Sequence, residues 1–174
     1  EGMCDDYGRQ MEMSMKVAVA QSNAAGGLDG KQMEDVSDGT QSDVALYTQY
    51  AQQLTRKDKT DVVQGGILSA SREAIRQILR KANMPYFDNV LYEGGVCDAS
   101  MISNGAVPEQ QLSTLVPYMV EHYGKKVYVV AADYNFGHLT TEWTEKLLAD
   151  AGGEVIGKEF IPLGVSQFAQ TIQN

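Results

Sequence analysis

Three short stretches place polar and aromatic side chains directly after runs that read as buried strands. "GGILSAS" carries Ser69 and Ser71 behind "DVVQ", and "YFDNVLYEGG" offers Asn89, Tyr92 and Glu93. The run "VYVVAADYNFG" ends in Asp133, Tyr134, Asn135 and Phe136. These residue types suit hydrogen bonding and stacking with a small polar molecule. Ser69 and Ser71 stand where a helix begins, and its free backbone N–H groups and positive dipole end favour a carboxylate or carbonyl oxygen. Each stretch also has a plain structural reading: helix capping by Ser71, a turn around Tyr92, core packing for Tyr134 and Phe136. All three leave the carboxyl ends of strands, the edge where open α/β sheets present groups to ligands.

Bond-making chemistry finds less support. There is no GxGxxG after a strand and no GxxxxGK[ST], so the glycines that cradle phosphates are missing. "SASRE" lacks the flanking glycines of a G-x-S-x-G nucleophile elbow. His138, one residue past "NFG", is a candidate general base with Asp133, although a surface histidine at a helix start is the plainer reading. The two histidines, His122 and His138, have no cysteine near them, and Cys4 and Cys97 fit no metal spacing. No enzyme activity, metal or cofactor is expected.

The composition narrows the field further. A formal charge of -9 and a pI near 4.6 oppose binding to a phosphate backbone, which needs a basic face. A hydrophobic fraction of 43% with 21% charged residues is that of a globular chain. The apolar run "VYVVAA" falls far short of the roughly 20 residues of a membrane helix. The opening "EGMCDDYGRQ" shows no signal peptide.

The elements that must position these candidates alternate between helix and strand. "GRQMEMSMKVAVAQSNAAGG" predicts a helix with Met11, Met15, Ala18 and Val19 on one face. "DVALYTQYAQQLTRK" predicts a second helix, and "DVVQGG" a short strand. A helix over 71–83 has Ala74, Ile75, Ile78, Leu79 and Ala82 as its stripe, with "MPYFDNV" as the following strand. "PEQQLSTLVPYMVEHYGKK" reads as one helix, kinked at Pro117, burying Leu112, Leu115, Val116, Met119, Val120 and Tyr123. "KVYVVAAD" is continuously apolar, as in a parallel strand covered on both faces. A helix from Gly137 carries Leu139, Trp143, Leu147 and Leu148, then "EVIGKEFIPLG" is a strand and "SQFAQTIQN" starts a helix. In "KQMEDVSDGTQSD" a strand is due but Glu34 and Asp35 interrupt it, so an edge or damaged strand is expected. Such alternation implies an α/β fold of Rossmann-like parallel sheets.

The motifs "SNAAGG", "LDGK", "GGILSASREA", "YEGG", "VPEQQ", "HYGKKVYVVAADYNFG" and "AGGEVIGKEFIPLG" together resemble the type I periplasmic substrate-binding proteins of ABC transporters. The likeness is to the branch that binds branched-chain amino acids, short amides or urea, which also includes cytosolic amide-sensing regulators. It covers nearly the whole chain. The resemblance implies a periplasmic binding protein type I fold, two Rossmann-like lobes closing on a small polar ligand, and a location in the periplasm or outside the cell. It implies an ABC transporter permease as partner, with no nucleic acid and no membrane insertion. By motif, Ser69 and Ser71 match the loop whose serine bonds the ligand, Asn89, Val90 and Tyr92 match a second first-lobe loop, and Tyr134 and Phe136 match the paired aromatics of the second lobe. An amide sensor of the same fold and a small α/β enzyme using His138 are the alternatives.

The chain also departs from the family. Ile67 stands where amide and urea binders often carry an aromatic, two residues before the serine. The family's chains are longer, so a truncated molecule is expected, with an incomplete first lobe over residues 1–121 and the beginning of a second over 122–174. The acidic residue that would hold an ammonium group usually comes from the segment beyond, which leaves amino acid or amide open. In the family's layout Cys4 and Cys97 lie in loops at one carboxyl edge of the first-lobe sheet, making them a disulfide candidate in an oxidising compartment.

Overall fold

The computed structural model describes residues 5–173. The chain divides into two compact units, one of residues up to Val90 with Asp98–Asn104, the other of Leu91–Cys97 with Gly105 onward.

The first unit holds α1 (Asp5–Ala24), α2 (Val44–Gln53), β1 (Val63–Gln64), α3 (Ser69–Lys81), β2 (Tyr86–Asp88) and β3 (Met101–Ser103). Its three strands are parallel in the order β1-β2-β3, with Val63 opposite Tyr86 and Tyr86 opposite Met101. Alternation along β2 sends Tyr86 and Asp88 to one buried side. The core is Ala51, Val63, Ile75, Leu79, Met84 and Tyr86, so α3 buries the expected Ile75 and Leu79 face against the sheet. Asp43 caps α2, accepting from the N–H groups of Ala45 and Leu46. On α1, Met11, Met15 and Val19 are half-buried as their spacing requires, while Ala18 is exposed.

Two departures fall in this unit. No strand forms in residues 31–43; this segment is held where the Asn23 side chain both donates to the Met33 carbonyl and accepts from its N–H. β3 was not expected. It is three residues long, too short to show an apolar period.

The second unit holds α4 (Pro108–Leu112), α5 (Leu115–Tyr123), β4 (Lys126–Ala132), α6 (Asn135–Asp150), β5 (Glu154–Ile161) and α7 (Ala169–Gln173). β4 and β5 pair in parallel, with a register irregularity between Val127 and Tyr128. Val116, Val120 and Leu148 form the core, joined by Leu112, Val127, Leu147, Ala151 and Val155. The two helices α4 and α5 therefore pack with β4 and α6, in a unit beginning well before residue 121.

Here too the expectations need correction. The predicted single helix over 108–126 is two, broken at Ser113 and Thr114 rather than kinked at Pro117. Pro117 is the third residue of α5, in the first turn, where a backbone N–H has no intrahelical partner to lose. Of the expected stripe only Val116 and Val120 are buried, and Leu115, Met119 and Tyr123 are exposed. β4 is covered on one face, since Tyr128 and Val130 are exposed along with Ile156 of β5. No helix among the described residues is long and apolar enough to cross a membrane.

Candidate functional site

The first candidate group is built by the turn between β1 and α3. Gly65 donates its N–H to the Phe87 carbonyl at 3.2 Å, and its own carbonyl accepts the Tyr86 hydroxyl at 2.8 Å. Gly66 follows at φ +84, and a Cβ there would lie 2.8 Å from that hydroxyl. α3 starts at Ser69, two residues earlier than its pattern predicts, and Leu68 in the N-cap position makes no side-chain cap. Ser71 is not the cap. Its hydroxyl donates backwards to the Leu68 carbonyl at 2.7 Å, and the residue is fully buried.

Ser69 differs from Ser71. It is 3% exposed, yet among the described residues nothing hydrogen-bonds its hydroxyl. Its oxygen is not one of the buried unpaired atoms, so it is the part of Ser69 that reaches the surface, and it stands beside the uncapped first-turn amides of a 13-residue helix. Together they form a donor cluster with a positive dipole end, suited to an oxygen of a carboxylate or amide.

Behind this turn lies a charged network that the sequence did not single out. Arg72 is 4% exposed, donates Nε–H to Glu73 at 3.2 Å, and brings Nη1 within 3.7 Å of the buried Asp88 carboxylate. Ser103 donates to Asp88, and Arg76 joins Glu73 to Asp98 with contacts of 2.6 and 3.0 Å. Burial pushes the Glu73 carboxyl up, but hydrogen bonds from Arg76 and Arg72 outweigh it and hold it below its ordinary range. The signal was present in "SREAIRQ", where Arg72 adjoins the apolar stripe, and in Asp88 inside a strand.

Past β2, Asn89 and Val90 are half-buried. Tyr92 and Glu93 are buried, and the Tyr92 hydroxyl closes a small loop by accepting the Val96 N–H at 2.6 Å and donating to the Val96 carbonyl. Cys97 is exposed, and Cys4 lies outside the described residues.

The second group lies at the end of β4. The strand stops at Ala132, Asp133 donates its N–H to the Ile161 carbonyl of β5, and α6 begins at Asn135 with Tyr134 extended before it. The helix can start so abruptly because Gly137 rests on the Ala132 carbonyl, where a Cβ would lie 1.9 Å from the oxygen. Tyr134 and Phe136 stack with centroids 6.2 Å apart. Ser69, Ser71, Asn89 and Val90 belong to one compact unit, and Tyr92, Tyr134 and Phe136 to the other. Among the described residues no group of three His, Cys, Asp or Glu side chains could hold a metal ion.

This arrangement of parallel sheets with polar strand ends matches known proteins over its full length. A family profile described as a periplasmic binding protein domain matches residues 2–174, and the chain belongs to that family, as a type I periplasmic binding protein. An amino acid ABC transporter substrate-binding protein from Pseudomonas fluorescens superposes with a TM-score of 0.84 at 21% identity, over 100% of this chain and 47% of that one. The branched-chain amino acid transporter substrate-binding protein LivJ from Streptococcus pneumoniae, in complex with isoleucine, gives 0.79 at 21% identity over 99% and 50%. A solute-binding protein of an ABC transporter from Rhodopseudomonas palustris, in complex with 3,4-dihydroxybenzoic acid, gives 0.81 at 19% identity over 99% and 48%. The chain thus spans about half the length of the structures it matches.

Proposed function

We propose that this protein is an extracytoplasmic solute-binding protein that captures a small polar ligand, a branched-chain amino acid, short amide or urea, for uptake through an ABC transporter permease. The observation that carries the reading is the unpaired hydroxyl of Ser69, the surface-reaching atom of an otherwise buried residue, beside the uncapped amides of α3. By motif, Asn89, Val90 and Tyr92 and the stacked pair of Tyr134 and Phe136 are the further ligand-binding candidates. Binding is hydrogen bonding and desolvation without chemistry, and closure follows the ligand's differential affinity for open and closed states. A Cys4–Cys97 disulfide belongs to the same reading, and thiol counting on unfolded, unreduced protein tests it.

A thermal-shift screen of the full-length protein against leucine, isoleucine, acetamide and urea tests the function. A ligand at a hundred times its dissociation constant adds about 2.7 kcal/mol of stability. No shift with any of the four would overturn the reading.

A further inference from the structure

The turn that delivers Ser69 is fastened at both ends by hydroxyl groups. At its start the Tyr86 phenol donates to the Gly65 carbonyl at 2.8 Å; at its end Ser71 donates to the Leu68 carbonyl at 2.7 Å. Between them the backbone passes so close over the phenol that residue 66 has no room for a Cβ. Tyr86 is 1% exposed and Ser71 fully buried, so neither hydroxyl is available to solvent. Ile75 links the two clamps, lying in the same core as Tyr86 and within 4.0 Å of the Cβ position of residue 66.

We propose that Tyr86 and Ser71 are positioning residues that clamp the Gly65–Leu68 turn, so that the Ser69 hydroxyl and the first-turn amides of α3 stand preorganised for a ligand oxygen. This rests on the ligand-binding reading of Ser69. Preorganisation matters because a turn that must order on binding subtracts that cost from affinity. Burial pushes the Tyr86 phenol well above its ordinary titration range, so it stays a donor throughout the physiological range. A tyrosine inside a short strand would ordinarily be counted as core alone. Here its ring serves the core while its hydroxyl sets the turn.

Tyr86→Phe in the full-length protein removes one oxygen and keeps the ring. Amide hydrogen exchange is expected to accelerate at Gly65 and Arg72, whose N–H groups bond the Phe87 and Leu68 carbonyls at the two ends of the turn, and affinity for the tightest of leucine, isoleucine, acetamide and urea to fall about tenfold. Ile78→Val, which trims the same core away from the turn, is the control. It is expected to lower Tm comparably while leaving exchange at the turn and affinity unchanged. Unaltered exchange in Tyr86→Phe would overturn the clamp whether or not any of the four probes binds. Wild-type affinity in Tyr86→Phe, with Ser69→Ala weakened, would overturn the positioning role and leave the Ser69 site standing. Wild-type affinity in Ser69→Ala would instead overturn the site.

Discussion

The imidazole Nε2 of His138 lies 2.8 Å from Oδ1 of Asp133, and the ring rests on Phe160 with centroids 4.0 Å apart. A general base steered by a carboxylate needs that contact, so the pair is a feature that favours a catalytic reading. The rest of such a site is missing among the described residues, where no serine, threonine or cysteine hydrogen-bonds the other ring nitrogen. The simpler role is to tie the first turn of α6 back to the end of β4. Both side chains are close to half exposed, at 43% and 48%, which limits what the pair contributes. His138→Ala is expected to cost only about 0.2–1 kcal/mol in urea unfolding. A loss of several kcal/mol would show that the turn depends on this pair.

Ser69→Ala tests the site at its centre. A ligand oxygen that loses its hydroxyl donor in a buried setting costs about 1–3 kcal/mol of affinity. Calorimetric titration of the full-length variant measures it, with little change expected in stability because the hydroxyl has no partner among the described residues. Unchanged affinity removes Ser69 from the site.

Much of this arrangement was legible in the residues. Long periodic segments such as "SREAIRQILRKAN" and the apolar "KVYVVAA" announce their elements. What stayed hidden depends on neighbours distant in the chain. Ser71 reads as a cap because its type and place suit one, yet its hydroxyl turns to the Leu68 carbonyl and the helix starts at Ser69. Tyr86 meets Gly65 only through the pairing of β1 with β2. The apolar period through Leu112 and Leu115 conceals a break at Ser113 and Thr114, because hydrophobic spacing survives a change of helix axis. β4 reads as covered on both faces because apolar runs carry no record of which face a helix covers.

Gly137 makes a sharper stability prediction than any core residue. Its Cβ position lies 1.9 Å from the Ala132 carbonyl oxygen and 2.9 Å from the carbonyl carbon, both backbone atoms that no rotamer change can move. Gly137→Ala must therefore shift α6 or the end of β4, at a cost of about 1–3 kcal/mol or more. The gain in helix propensity, about 1 kcal/mol for glycine to alanine, opposes this and is smaller. Urea unfolding of the two proteins decides the sign, and a stabilised variant would show that the strand end yields freely.

Asp98 governs part of the acid stability of the first unit. Hydrogen bonds from the Ser100 hydroxyl and the Ser100 N–H, then from Arg76, hold its carboxyl at about 2, down from the ordinary 3.8. Its side chain is almost wholly covered, and it joins the 98–100 turn to α3 through Arg76. Because the folded state binds this proton less readily than the unfolded chain, the stabilisation is complete above the ordinary value. It is lost as pH falls from about 4 through about 2. Asp98→Asn is expected to lower stability at neutral pH and to flatten the fall in unfolding free energy over that window. The variant keeps a hydrogen-bonding side chain, so the charge is the main change. Parallel acid titrations followed by circular dichroism measure the difference, and coincident curves below pH 4 would show that Asp98 has no part in the acid transition.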